Sequence, residues 1–228
     1  MQPGAQGRAH ERAIRPLDVA LAPRQPRATM ALDDRDRRLL RLFVAVVAGN
    51  WDEVARVRRA APSGEPDRAW RETVLQAHVF AGFPRAVEAY GVIDTAGGLG
   101  VPAADESLDE SENPERGRAL FERIYGEHAA RVRGFLARSH GDFAAWIEGH
   151  AYGRVLTRPG LAVDRRELLA VAALAALGQD RQLASHARGA VRCGASPADL
   201  RAALDEVRDL VTSERYERAL RVIERFAP

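Results

Sequence analysis

Apolar residues recur along most of this chain at intervals of three and four, and the interruptions fall on glycine and proline. Leu39, Leu40, Phe43, Val46 and Val47 predict a helix that Gly49-Asn50 ends. A second helix is expected from Trp51, and a third from about Asp67 carries Trp70, Val74, Leu75 and Phe80. Gly82-Phe83-Pro84 breaks the third, and Pro84 suits the first turn of a fourth that reaches Ile93. After Thr95 the pattern lapses into glycines and then acids: Asp105, Glu106, Asp109, Glu110, Glu112 and Glu115, with no base among them. That stretch reads as a solvated linker. Asn113-Pro114-Glu115 opens the next helical block. Helices are expected near 115–125, 127–138 and 142–156, before a break at Arg158-Pro159-Gly160. An alanine-rich helix from Arg165 to Leu177 ends at Gly178, and one from Gln179 to Cys193 ends at Gly194. Ser196-Pro197-Ala198-Asp199 caps another, and the last runs to about Phe226. No sustained alternation or hairpin dipeptide predicts a strand, so the expected fold is all-α.

The two blocks also match each other. A shift of 129 places Leu39-Leu40 on Leu168-Leu169, Gly49 on Gly178 and Arg59 on Arg188. One inserted residue later, Gly64 falls on Gly194, Arg85 on Arg215 and Val92-Ile93 on Val222-Ile223. The order of these matches and their agreement with the helix breaks predict an internal duplication. The expected organisation is an N-terminal arm over 1–31, a first repeat over 32–94, an acidic linker over 95–115 and a second repeat over 116–228. The arm is read as disordered, with Met30 as an alternative start.

Composition narrows the function classes. The 228 residues hold 34 basic and 32 acidic side chains, a formal charge of +2, and every base is arginine. Dispersed, balanced charge offers no basic stripe to a nucleic acid, and none is expected as a partner. A single cysteine, Cys193, excludes an intramolecular disulfide, a Cys-x-x-Cys redox pair and a cysteine-rich zinc site. The six histidines show no paired ligand spacing backed by carboxylates, so neither a metal nor another cofactor is expected. No apolar run approaches the roughly 20 residues that cross a bilayer, and no signal peptide is evident. A cytoplasmic protein without a membrane partner is the expectation.

The stretch from Arg158-Pro-Gly-Leu to Glu167 and Gly178, followed by Gln179-Asp-Arg-Gln182 and His186 to Gly194, resembles the carboxymuconolactone decarboxylase family and its relative alkyl hydroperoxidase D. Trp146 through His150-Ala-Tyr152-Gly153 resembles the lead-in of the decarboxylase branch. Val74 to Ala86 in the first block is similar to that family's closing helix pair. The hydroperoxidase branch works through a glutamate, eleven residues, Cys-x-x-Cys, three residues and a histidine. Here the glutamate falls on Glu167 and the histidine on His186, but the cysteine positions hold Gln179 and Gln182. Glutamine forms no thiolate, so a peroxidase using that cysteine pair is excluded. The resemblance also implies rings of family units, and for a duplicated chain a homotrimer.

The acid/base half of the motif survives. Glu167 sits roughly 16 Å before the Gly178 turn and His186 about 12 Å after it, a lag within a glutamate's reach across two antiparallel helices. Such a pair suits proton transfer. Two readings of Glu167 stand together, because Asp164-x-x-Glu167 before an apolar run is also a helix-capping pattern. His186 among Leu183, Ala187 and Ala190 suits a core histidine as well as a catalytic one. Tyr152, Arg158, Arg166 and Gln182 are the candidate substrate-binding residues, the arginines for a substrate carboxylate. The duplication puts Arg38 and Val57 where the second block has Glu167 and His186, which would leave the first copy without chemistry. Two functions follow: a cofactor-free lyase on a small carboxylated lactone or enol acid, or a non-catalytic ligand-binding or scaffold member of the same family.

Overall fold

The computed structural model describes residues 32–65 and 67–226, so the arm expected over 1–31 lies outside the described residues. The stripe from Leu39 to Val47 forms helix α1 (Asp34–Ala48), opened by the Asp33 side chain, which accepts from the Asp36 amide at 2.7 Å. Helix α2 (Trp51–Arg59) follows a left-handed Gly49, and α3 (Asp67–Thr95) bends sharply at Gly82, where φ is 80° and ψ 166°. Next come α4 (Asn113–Tyr125), α5 (Ala129–Ser139) and α6 (Gly141–Trp146). The remaining helices are α7 (Val163–Leu177), α8 (Asp180–Cys193), α9 (Pro197–Glu206) and α10 (Ser213–Ile223). Among the described residues no strand occurs, in agreement with the all-α expectation.

Helices α1 and α7 pack on each other at the centre, and both are buried along most of their length. They resemble each other in detail. Each has 15 residues, they start 129 positions apart, and each ends on a left-handed glycine, Gly49 at φ 74° and Gly178 at φ 69°. The arginine 130 positions further on pairs with each turn: Arg85 covers Gly49 and Arg215 covers Gly178. One large apolar core joins α1–α3 to α7–α10. A smaller one lies around Leu120, Phe121, Ile124, Tyr152 and Leu156.

Two segments differ from their expected form. The helix expected over 142–156 changes character after Trp146, and Ile147–Leu156 winds as a π-helix. Its wider bonding is carried past the end by the Thr157 amide, which donates to the Tyr152 carbonyl five residues back at 3.2 Å. This segment lies directly on α4, because Gly117 and Gly153 let the two backbones touch; a side chain on Gly153 would strike the Asn113 carbonyl.

The acidic segment after Thr95 is the second, because it is tethered. Most of it is exposed, as a solvated linker is, but it is also strapped to the helices by arginines. Arg58 donates to the Gly98 carbonyl at 2.7 Å, Arg68 pairs with Asp105 at 2.8 Å, and Arg116 reaches the Asp109 carbonyl at 2.9 Å. Arg71 holds the buried Glu106 through two bonds, of 2.9 and 2.5 Å. The guanidinium fork explains the difference, since one planar group can hold a carboxylate and a carbonyl at once. Among the described residues no helix is long and apolar enough to cross a membrane.

Hydrogen bonding from Arg71 holds the Glu106 carboxyl down at about 2, against its ordinary 4.5. A depressed carboxyl adds stability that is full above 4.5 and is lost as pH falls toward 2. Unfolding midpoints of wild type and Glu106→Gln, measured from pH 6 down to pH 2, should therefore converge as the acid end is reached. A constant gap across that range would contradict the strap.

Candidate functional site

Helix α7 starts at Val163 with Ala162 at its cap position and no side-chain cap. Glu167 therefore does not cap the helix. It lies more than a turn inside, fully buried, and turns toward α8. There its Oε2 lies 3.0 Å from His186 Nδ1, so the two helices flanking Gly178 bring the acid and the imidazole together. The carboxylate is completely shielded while the His186 side chain is 12% exposed, which makes the imidazole the solvent side of the pair. Bonding through Nδ1 leaves Nε2 for a ligand or solvent. Glu167 Oε1 is also buried and makes no hydrogen bond within the described residues.

The surroundings keep this pair close-fitting. A side chain on Gly189 would come within 2.7 Å of Glu167 Oε2 and of Ile124, so that position of α8 has room only for hydrogen. Phe80, from the first block, stands edge-on to His186 with ring centres 6.0 Å apart. Tyr152 is buried and donates to the Tyr125 hydroxyl at 3.1 Å. Burial first, and then the Tyr125 and Glu167 charges, push the Tyr152 phenol well above its ordinary value. Burial and the Glu167 charge likewise push the Cys193 thiol up to about 12, which leaves it protonated and unreactive at neutral pH.

The other expected ligand-binding residues are placed differently. Tyr152 is buried in the smaller core, bonded to Tyr125 and packed edge-on to Phe121. Gln182 and Gln179 are exposed on α8 and at its start, so two surface amides stand where a cysteine pair would be. Arg166 is wholly buried: its Nη2 donates to Glu72 at 2.7 Å and to the Arg158 carbonyl at 3.0 Å, and its Nη1 to Gln76 at 3.1 Å. Arg158 donates through Nε to the same glutamate at 2.9 Å and through Nη2 to the Glu106 carbonyl at 2.7 Å. The carboxylate these two arginines hold is thus the protein's own, and a buried Arg166 cannot bind a substrate from solution. Glu72 and Gln76 escaped the sequence reading; their only trace there is a polar pair one turn apart on a face of α3 that is otherwise apolar.

In the first block Arg38 pairs with Glu65 and Val57 is buried, so no acid/base pair stands at the positions 129 residues before Glu167 and His186. Among the described residues no group of three or more His, Cys, Asp or Glu side chains gathers to hold a metal ion.

Residues 141–225, which include Glu167 and His186, match the profile of the carboxymuconolactone decarboxylase family. Over 95 residues the chain is 30% identical to the 4-carboxymuconolactone decarboxylase of Acinetobacter baylyi, which covers 41% of this chain and 71% of that protein. Over 132 residues it is 30% identical to Peroxisomal protein 2 of Schizosaccharomyces pombe, covering 55% of this chain and 61% of the yeast protein.

Removing Glu72 would leave Arg166 as a buried charge without its counter-ion, a change that typically costs about 3–5 kcal/mol. Urea unfolding of Glu72→Ala should show a loss of that order, and the double variant Glu72→Leu/Arg166→Met should recover most of it. Equal losses in the two variants would show that the carboxylate is not the neutralising group.

Proposed function

This chain belongs to the carboxymuconolactone decarboxylase family, and we propose that it is a cofactor-free lyase acting on a small carboxylated lactone or enol acid through the Glu167–His186 pair. The observation that carries this reading is the 3.0 Å contact between a shielded carboxylate and an imidazole on the solvent side. When the substrate's carbon–carbon bond breaks, carbon dioxide leaves and the bonding electrons stay on carbon. His186 as an imidazolium delivers its Nε2 proton to that carbon and returns to the neutral Nδ1–H form. Glu167 accepts from Nδ1, holds that tautomer and steadies the charged ring. Solvent then restores the Nε2 proton.

The second reading, a ligand-binding or scaffold member, is favoured by the amides at positions 179 and 182 and by the first block's Arg38 and Val57. A screen of carboxylated lactones and enol acids for carbon dioxide release separates the two. The lyase reading expects a substrate whose turnover falls about 10²–10⁴-fold in His186→Gln, the range typical of a lost general acid. Release that ignores this substitution, or none across the panel, would leave the second reading.

We also propose that the two blocks are tandem copies and that three chains assemble. The equal lengths and glycine ends of α1 and α7 support the first part. Exposed Phe135, Phe143 and Trp146, at 48, 50 and 65%, on the consecutive helices α5 and α6, support the second, since large apolar side chains favour burial against another surface. Sedimentation equilibrium should give three chains per particle, and fewer for Trp146→Glu. A monomer at all concentrations would refute assembly.

A further inference from the structure

A second group of titratable side chains meets in a cavity that shares no residue with the Glu167–His186 pair. This cavity of about 400 Å³ lies between the two limbs of α3, the π-helical segment and the end of the strapped acidic segment. Its volume is that of a small-molecule site. Leu75, Ala86, Val87, Tyr90 and Val155 give it apolar lining. Within the same lining His78 and His150 meet with their Nε2 atoms 2.7 Å apart. His150, Arg154 and Val155 of the π-helical segment line the cavity together with Arg158, two residues past its end.

The protonation of two imidazoles joined in this way follows from their bonds. His78 Nδ1 donates to the Leu75 carbonyl, so it carries a proton. In the neutral pair His78 Nε2 must then accept, His150 Nε2 donates to it, and His150 Nδ1 is a bare acceptor. Add one proton and the outcome is the same whichever ring holds the charge: His150 Nδ1 now carries hydrogen. A single proton thus converts the free end of the pair from an acceptor into a donor and gives the pair a positive charge. Phe83 stacks on His78 with ring centres 5.0 Å apart and holds that ring in place.

The charges around the pair favour an anion. Arg154 and Arg158 line the cavity against a single carboxylate, Glu110, which Arg154 engages at 2.9 Å. Glu72 lies beyond Arg158 and is taken up by Arg158 and Arg166. Tyr90 is the other titratable group on the wall, and burial raises its phenol, which keeps it neutral. Arg158 uses Nε and Nη2 in its internal bonds, and Nη1 is outside them.

We propose that this cavity binds a small carboxylate with an apolar, ring-sized body, and that the His78–His150 pair takes up one proton as the anion enters. The apolar lining holds the ring, and the protonated pair meets the carboxylate. Burial, His78 and Arg154 lower the proton affinity of His150 in the free protein, so the incoming negative charge is what makes protonation favourable. This inference does not depend on the lyase reading.

Calorimetric titration of the full chain with 1-naphthoate, from pH 5.5 to 8, tests it, with the neutral 1-naphthalenemethanol alongside. The expected result is naphthoate binding that weakens toward tenfold per pH unit at the alkaline end, as one-proton linkage requires. The alcohol should bind more weakly and without that slope. His150→Phe should flatten the pH dependence, and Val87→Trp, which fills the cavity mouth and leaves both histidines in place, should abolish binding. Equal affinity for acid and alcohol, a flat profile in wild type, or no binding at any pH would overturn the proposal. So would binding that survives Val87→Trp, which would place the ligand elsewhere.

Discussion

Much of this structure is tied together at one buried carboxylate. Glu72, on α3, neutralises Arg166 of α7 and receives Arg158 from the end of the π segment, and Arg158 in turn holds the Glu106 carbonyl of the acidic segment. Four segments of the chain therefore meet around a single anion. Burying Arg166 without it would strand a charge in a low dielectric, a far greater cost than any surface ion pair repays. The same node holds Arg166, the residue next to Glu167 on α7.

Arginine serves as the protein's general fastener. A lysine presents one point charge, whereas a guanidinium can hold a carboxylate and a backbone carbonyl together. Arg41 uses this to tie α1 to the far end of the chain, donating to Glu53, to Asp209 and to the Glu206 carbonyl. Arg71 does so for the acidic segment. An all-arginine complement of bases thus supplies cross-links that the apolar core, rich in alanine and leucine, does not provide.

The two titratable pairs follow different rules. Glu167 and His186 are a hetero-pair in which the buried acid fixes the tautomer of a partly exposed base, the arrangement that proton transfer uses. His78 and His150 are alike, and only their outer bonds distinguish them. The Leu75 carbonyl fixes one end of that pair, so the state of the other end is set by whatever occupies the cavity.

Local pattern in the sequence determined the helices, their breaks at Gly49, Gly82 and Gly178, and the all-α class, because helical periodicity and glycine stops act within a few residues. It also brought Glu167 within reach of His186, since both flank one short turn. What it could not separate was a capping carboxylate from a buried one, because both share the same spacing; the α7–α8 contact decided that. Nor could it show that Arg158 and Arg166 are spent on Glu72, which lies 86 and 94 positions away. The π winding has no residue code of its own and arises where Gly117 and Gly153 bring two backbones together. His78 and His150 stand 72 positions apart, and no periodicity spans that distance. Long-range pairing of polar groups depends on which faces the core brings together, and only the tertiary structure decided it.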